Sequence, residues 1–354
     1  MAIRVSGTDV ITNARQLANI ASIDSATATA ITNAGVGGAA ESFRLLTSAP
    51  SGASVGDVYY NQNNYQLYIY DGSNWVGKDF AAIPTNLSSG DQIYAPTSGT
   101  LTGTWNPPSG VHFISVILVG AGGSRNNPGY VAGCGGGAVC WKNWQLATGQ
   151  SYAYSVSAAG VASNTTFSGH GVTMSAGHGQ TVTSRTPGGN GGTFAGGDGG
   201  GNGGNGGISG GNGAPGYGSG GGGGAGGYQG NGGNGGSSNS SGTGATSGGN
   251  GTGGGGGGGG GAYDAQAGRG AVYGNPGGGV SIYGQGANGS GGSGGGNSSQ
   301  GTTAGIGSPS QGVAYGAGNT GGYYKQVTLN GNGAIRILWK TGSVNAFPST
   351  NVGP

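Results

Sequence analysis

The chain has 354 residues, of which 96 are glycine and only 6% carry a charge. This length exceeds one ordinary domain, but the apolar residues are too few for two conventional cores. The formal net charge of +2, without clustered Lys and Arg, argues against nucleic-acid binding. Because Met1 is not followed by an apolar segment and no run reaches about 18 apolar residues, we expect neither classical export nor membrane insertion.

Residues 1–38 predict an attachment arm. Apolar side chains of a weakly helical stretch recur at roughly helical or heptad spacing, at Leu17, Ile20, Ile23 and Ile31. This stripe is too thin to fold alone, so we predict that it associates with copies of itself or with a partner. The four residues are therefore candidates for attachment to a larger particle, with a frayed terminus as the alternative.

Residues 39–80 predict a small β-hairpin module. Aromatic and apolar residues alternate with polar ones at 57–61 and 65–70, around a short turn, and a third strand begins at Trp75. We expect one face of this module to form a small core from three aromatic residues: Tyr68, Tyr70 and Trp75.

A linker and a β-scaffold follow. Residues 81–108 are rich in Pro, Ser, Thr and Gly, which is typical of a linker. Apolar runs predict strands in residues 109–186 and again in residues 323–341, and a tail at 342–354 follows. Because neither part has enough apolar strands to pair with by itself, we predict that both contribute strands to one scaffold. The candidate strands are at 114–119, 137–142, 152–156, 323–329 and 333–339.

Between these two parts, residues 187–322 consist mostly of glycine. Fixing one residue's backbone costs about 1–2 kcal/mol and glycine loses the most freedom, so a disordered linker is one alternative. Collagen is excluded because it needs a strict three-residue period with abundant proline, whereas here the period slips and proline is sparse. The third alternative is a bundle of polyglycine-II helices, which have three residues per turn and bond laterally to their neighbours.

Side-chain spacing favours the helix bundle. Asn202 and Asn205, and likewise Asn231 and Asn234, lie three residues apart, which puts one side chain per turn on a single edge. We therefore predict a mostly β and irregular fold, with a β-scaffold split by a glycine-rich polyglycine-II helix bundle. Tyrosines at the predicted turns are candidates for receptor binding, with end-capping of the bundle as the alternative. These are Tyr217, Tyr228, Tyr263, Tyr273, Tyr283 and Tyr315.

Few residues could support catalysis or hold a metal. Carboxylates are scarce around the histidines His112, His170 and His178, and two histidines alone fall short of a metal site. Cys134 and Cys140 lie six residues apart without a second pair, so we expect free thiols, with a disulfide as the alternative. We therefore predict a protein that is not an enzyme and has no catalytic, metal or cofactor site.

Several parts of the chain resemble bacteriophage fibre proteins. The pattern at 56–61 and 67–76 resembles the small hairpin module near the front of many tail-fibre and virion structural proteins. Residues 3–34 and 345–352 are similar to the two ends of virion proteins of viruses that infect cyanobacteria. The block from Trp105 to Trp339 resembles the glycine-rich domain of phage tail fibres, which is opened and closed by comparable strands.

This resemblance implies a virion fibre, made in the host cytoplasm and assembled as a homo-oligomer, with a trimer expected. Residues 1–80 would attach to other tail or baseplate proteins. The glycine-rich region would face the host and recognise a surface glycan or an outer-membrane protein.

Two other functions remain as alternatives. One is a purely structural neck or capsid fibre without receptor binding. The other is an ice-binding glycine-helix protein, which would need a flat, regular row of short side chains. The irregular insertion of Asn, Ser and Tyr into the glycine runs argues against this function.

Overall fold

The structure is a computed structural model with two compact units, Met1–Thr85 and Asn86–Pro354. It describes residues 3–5, 8–11, 44–61, 66–78, 89–111, 113–124, 132–146, 150–210, 219–238, 246–258, 274–292, 314–319, 331–339 and 346–349. Within these ranges the regular elements are β-strands and there is no helix, which confirms the prediction of a β-rich fold. Accordingly, none of the described segments is a helix long and apolar enough to cross a membrane.

The N-terminal unit contains two small sheets. A two-stranded antiparallel sheet is followed by a four-stranded sheet in chain order, in which β3 and β4 are parallel and the other pairs are antiparallel. The predicted hairpin is therefore confirmed, whereas Leu17, Ile20, Ile23 and Ile31 lie outside the described residues. The strands are β1 (Ile3–Val5), β2 (Thr8–Ile11), β3 (Arg44–Leu46), β4 (Val58–Asn61), β5 (Gln66–Tyr70) and β6 (Trp75–Lys78).

Aromatic packing stabilises one face of the four-stranded sheet. Tyr59 is buried at its centre, stacks on Tyr68 with ring centroids 5.0 Å apart and meets the edge of Trp75 at 4.8 Å. Tyr70 packs against Trp75 at 5.2 Å. The expected aromatic core is thus confirmed, and Tyr59 is the residue around which it forms.

The second unit contains two five-stranded antiparallel sheets. The first sheet has the order β15-β10-β9-β16-β7, and the second has the order β14-β13-β12-β11-β8. Their strands are β7 (Gly90–Tyr94), β8 (Thr100–Trp105), β9 (Phe113–Val119), β10 (Val139–Gln145), β11 (Tyr152–Ser157), β12 (Thr165–Gly169), β13 (Val172–Ala176), β14 (Phe194–Ala195), β15 (Gly199–Gly201) and β16 (Ala334–Trp339).

Strand β9 is central because it is buried on both faces. Its alternate residues Val116 and Leu118 lie in the first core, between the two sheets, with Phe167 of the second sheet. Ile117 and Val119 lie in the second core, on the other face, where segments from the glycine-rich region cover the sheet. The second core includes Tyr228, Val280, Ile282 and Phe347. This double burial explains the continuous apolar run of β9.

The scaffold is closed by strands from both sides of the glycine-rich region. Strand β16 pairs with β9 from Ala334↔Val119 to Trp339↔Ile114, as predicted. The proposed strand at 323–329 lies outside the described residues. Trp105, Tyr152 and Phe167 meet in the first core, with Tyr152 and Phe167 stacked at 5.2 Å.

The segment predicted as a linker, 81–108, instead supplies two strands. Strand β7 pairs with β16 and strand β8 pairs with β11, so residues 90–94 and 100–105 belong to the scaffold. The Thr-rich composition was misleading, because Thr is β-branched and suits a strand as well as a loop. Strands β12 to β15 were not predicted either.

The described glycine-rich segments are joined sideways by backbone hydrogen bonds. The N–H of Gly133 donates to the carbonyl of Gly207, the N–H of Gly207 to Gly221, and the N–H of Gly221 to Gly236, at 2.8, 2.8 and 2.9 Å. Each bond connects residues from different segments. The polar backbone groups are therefore satisfied between segments instead of within one helix or hairpin.

This lateral contact depends on the absence of side chains. A Cβ at Gly204 would overlap the carbonyl oxygen of Gly233, and a Cβ at Gly233 would overlap that of Gly249. Gly249 differs, because the nearest atom to its Cβ would be the backbone nitrogen of Asn234 at 3.3 Å. The two kinds of glycine should therefore respond differently to substitution.

We expect Gly204→Ala to lower the free energy of unfolding by about 3 kcal/mol or more, because backbone atoms cannot avoid the added methyl group by changing rotamer. The matched variant Gly249→Ala should change it by less than about 1 kcal/mol. Urea denaturation of both full-length variants measures the difference. Equal stability of the two variants would contradict this packing.

One buried cation connects the first sheet to the glycine-rich region. Arg336 of β16 is 1% exposed, and its Nε donates to Oδ2 of Asp91 on β7 at 3.0 Å. Its guanidinium carbon lies 4.4 Å from the centre of the Tyr283 ring, and its Nη1 donates to the carbonyl of Ile282 at 3.4 Å. Asp91 thus neutralises a charge that water barely reaches.

We expect Asp91→Asn to cost about 1.5–3 kcal/mol of stability, the usual range for a hydrogen bond to a charged group. Asp198→Asn is the matched control, since Asp198 pairs with Lys142 at 2.7 Å and both side chains are partly exposed. This second change should cost about 1 kcal/mol or less. Thermal unfolding of the two variants side by side tests the expected order.

Candidate functional site

Three of the tyrosines that are candidates for receptor binding lie among the described residues, and all three are buried or half-buried. Tyr228 is fully buried in the second core, where its hydroxyl donates to the carbonyl of Ser281 at 2.9 Å and accepts from the N–H of Gly284 at 3.0 Å. Burial raises the pKa of this hydroxyl. Tyr315 is also buried, next to Val280, and Tyr283 is half-buried beneath Arg336.

Tyr228 and Tyr315 therefore offer a receptor almost no surface. The physical reason is that an aromatic ring is the largest apolar group in a glycine-rich segment, so burying it against the sheet is the main source of hydrophobic stabilisation. Tyr217, Tyr263 and Tyr273 lie outside the described residues.

The two described histidines, His170 and His178, have different neighbours. His178 Nδ1 lies 3.1 Å from Asn164 Oδ1, and the ring of His170 packs edge-on against Tyr152. His112 is outside the described residues, among which there is no cluster of three or more His, Cys, Asp or Glu that could hold a metal. Both cysteines are buried free thiols. Burial raises the pKa of Cys140 to about 11, so it is not a thiolate at neutral pH.

A different set of side chains forms an ordered, exposed face. Four neighbouring glycine-rich segments, 187–193, 202–208, 231–237 and 246–252, each present every third residue on it, and we call this face the amide grid. Its first row is Pro187, Ile208, Ser237 and Thr246, its second row is Asn190, Asn205, Asn234 and Gly249, and its third row is Thr193, Asn202, Asn231 and Thr252. Asn202 and Ser237 are half-buried, and the other positions are exposed.

Backbone hydrogen bonds fix the alignment of these rows. The N–H of Gly206 donates to the carbonyl of Gly189, and the N–H of Gly235 donates to that of Asn205, both at 2.8 Å. Gly249 donates in the same way to the carbonyl of Asn234 at 2.8 Å. The second segment is antiparallel to the first and parallel to the third, which is antiparallel to the fourth.

Exposure repeats every three residues along the first three segments, 187–193, 202–208 and 231–237. Asn205 and Ile208 are exposed, whereas Gly204 and Gly207 are buried against neighbouring segments, and the same alternation relates Asn234 to Gly233 and Gly236. A β-strand would instead alternate every two residues. The backbone here therefore places one residue in three on the surface.

The side chains of the grid are bound to the backbone of the next segment. Asn231 Oδ1 accepts from the N–H of Asn202 at 3.0 Å, and Asn234 Oδ1 accepts from the N–H of Asn205 at 2.8 Å. Asn205 Oδ1 accepts in turn from the N–H of Gly191 at 2.8 Å. Because a backbone N–H can only donate, the amide oxygen must face it, and the NH₂ group of each asparagine is directed away from that bond.

Two threonines of the grid, Thr246 and Thr252, both accept and donate with the side-chain hydroxyl, unlike the asparagine oxygens, which only accept. Thr252 Oγ1 accepts from the N–H of Asn231 at 2.8 Å and lies 3.2 Å from the Asn231 carbonyl, to which it donates. Thr246 makes the equivalent pair of bonds with Ser237, at 2.7 and 3.2 Å. The hydroxyls of Thr246 and Thr252 are thus engaged with the backbone, whereas the NH₂ groups of the asparagines are outward donors.

The grid is uncharged and rigid. None of its twelve positions holds Asp, Glu, Lys or Arg. Because the side chains of Asn205, Asn231 and Asn234 are already held by a hydrogen bond, a ligand that uses their NH₂ groups would cost little additional side-chain entropy. Such an arrangement suits a ligand with repeated, neutral hydrogen-bonding groups.

Sequence reasoning found part of this surface. The three-residue spacing of Asn202 with Asn205 and of Asn231 with Asn234 was recognised as an architectural signal, but not as a site. The sequence did not indicate that the grid includes Pro187, Thr193 and Thr252. The glycines beside these residues do not reveal which segments are neighbours.

Comparison with known proteins adds no family to this description. No protein-family model matches the chain, and the search of curated proteins finds no match either. The site is therefore interpreted from its geometry.

We expect Asn231→Ala to lower the free energy of unfolding by about 1 kcal/mol, because the N–H of Asn202 loses its acceptor. Asn231→Thr should retain most of the stability, since Thr252 and Thr246 perform the same role in the neighbouring segment. Urea denaturation of the two variants measures the difference. A larger loss for Asn231→Thr than for Asn231→Ala would contradict this role of the side chain.

Proposed function

We propose that the chain is a non-enzymatic bacteriophage fibre protein, a tail fibre or tip adhesin, which recognises the host-cell surface with its glycine-rich region. The observation that carries this proposal is the amide grid, an exposed and regular set of hydrogen-bonding groups on a rigid backbone. A surface of this kind suits binding, because its groups are already in place before a ligand arrives.

We also propose that the glycine-rich segments form a polyglycine-II helix bundle. Three observations support it: exposure repeats every three residues in segments 187–193, 202–208 and 231–237, backbone bonds run between segments, and glycine is required where segments touch. A threefold helix without internal hydrogen bonds accounts for all three, whereas a β-sheet does not account for the first.

Attachment to the virion is assigned to residues 1–80, with a homotrimer as the expected assembly and tail or baseplate proteins as partners. Exposed apolar side chains in this unit support an association role. Ile69 and Val76 are opposite each other on adjacent strands and are 45% and 52% exposed, and Val55 is 75% exposed. Large apolar groups grouped on a surface are typical of contact sites.

An ice-binding protein is the second candidate function. The structure aligns the Asn, Ser and Thr insertions into rows, which removes the objection that their positions in the sequence are irregular. We place this function second because the rows are uneven, with Pro187 and Ile208 at one end and no side chain at Gly249.

Binding of the fluorescently labelled full-length chain to a panel of cyanobacterial strains tests the adhesin proposal. We expect saturable binding to at least one strain, reduced by excess unlabelled chain, with heat-unfolded chain as the control. The full chain is needed because β16, beyond the glycine-rich region, pairs with β9 and β7. If the chain is found in virions but binds none of the strains, the result would favour the structural neck or capsid fibre.

Thermal hysteresis distinguishes the second candidate. The adhesin proposal predicts no gap between the melting and freezing points of ice in a solution of the chain. A gap that increases with protein concentration would favour ice binding instead.

A further inference from the structure

We infer that the amide grid binds a neutral polysaccharide laid along its glycine-rich segments. This inference rests on the proposed host-recognition function and names the ligand class of its site. Polysaccharides present hydroxyl and ring oxygens at regular intervals, and these oxygens can accept hydrogen bonds from the amide NH₂ groups of the grid.

The direction of the amide groups supports this ligand. In Asn231, Asn234 and Asn205 the oxygen is engaged with a backbone N–H of the next segment, at 3.0, 2.8 and 2.8 Å. Their NH₂ groups therefore form an array of donors on exposed or half-buried side chains. An array of donors is better matched by a ligand with regularly repeated hydrogen-bond acceptors than by a ligand with a single polar group.

The spacing of the array also fits. Along one segment, successive grid residues are three apart, which corresponds to about 9 Å in an extended threefold backbone. This distance is similar to the length of a disaccharide, so one chain could meet Asn231 and Asn234 with equivalent sugar units.

The absence of charge selects a neutral ligand. An anionic polysaccharide or a nucleic acid would be matched by Lys or Arg, and the grid contains neither. A protein partner is also disfavoured, because protein interfaces rely on buried aromatic or apolar anchors. The grid offers only Ile208, which is 43% exposed at the end of one segment, and Pro187 beside it.

Variants can remove the donors without removing the bonds that hold the segments. In Asn231→Thr/Asn234→Thr, the new hydroxyls would replace the amide oxygens as acceptors and donate back to the backbone, as Thr252 does. Asn288→Thr is the matched control, because Asn288 Oδ1 accepts from the N–H of Gly254 at 2.8 Å but lies outside the grid.

The test measures binding of the full-length chain to immobilised dextran, mannan and galactan and to neutral polysaccharide extracted from the panel of cyanobacterial strains, with heparin as the charged comparator. We expect binding to at least one neutral polysaccharide and none to heparin. The double variant should bind about tenfold or more weakly, since it loses two hydrogen bonds of ordinary net strength, while Asn288→Thr should stay within about twofold.

Two results would overturn the inference: no binding to any neutral polysaccharide, or equal binding by the double variant and the unmodified chain. If the chain binds cells and the double variant binds them equally well, the adhesin proposal stands and the grid is not its site. If the chain binds polysaccharide through the grid but does not bind cells, the adhesin proposal is contradicted, whereas the inference that the grid binds a neutral polysaccharide is supported.

Discussion

The fold depends on how a glycine-rich backbone satisfies its own hydrogen-bonding groups. The backbone N–H and C=O groups of one described segment find partners in neighbouring segments. Such bonds require close approach, and the overlap that a Cβ at Gly204 or Gly233 would produce shows why only glycine allows it. Along segments 187–193, 202–208 and 231–237, exposure repeats every three residues.

The β-sheets and the glycine-rich segments stabilise each other. Strand β9 gives one face to the first core and the other to the second core, where Tyr228 and Ile282 come from the glycine-rich region. The indole N–H of Trp141 donates to the Tyr228 carbonyl at 2.7 Å, which adds a polar contact between the two parts. The second core requires both parts, because it combines one face of β9 with side chains of the glycine-rich region, so we regard them as one cooperative unit.

The sequence allowed prediction of the parts whose pattern is local. Apolar runs indicated β9, β10, β11 and β16, and alternation indicated the N-terminal hairpin. Residues 90–105 were assigned to a linker because Pro, Ser, Thr and Gly are typical of loops, although Thr is also common in strands. Tyr228 was a candidate for receptor binding or for capping the bundle, and its burial was not predicted, because nothing local reveals that β9 needs a cover for its second face. The amide grid required the register between segments, and glycine carries no side-chain pattern from which to read it.

The glycines at which two segments touch are separate from the positions that face outward, and this separation has an evolutionary consequence. Where two segments touch, almost any substitution of glycine disturbs a neighbouring carbonyl, so those positions are constrained. A residue at position 249, in contrast, would add a side chain to the middle row with its nearest backbone contact at 3.3 Å. Outward positions can therefore diverge by single substitutions while the framework stays constant, which is the property a lineage needs to change the surface it recognises without redesigning its fold.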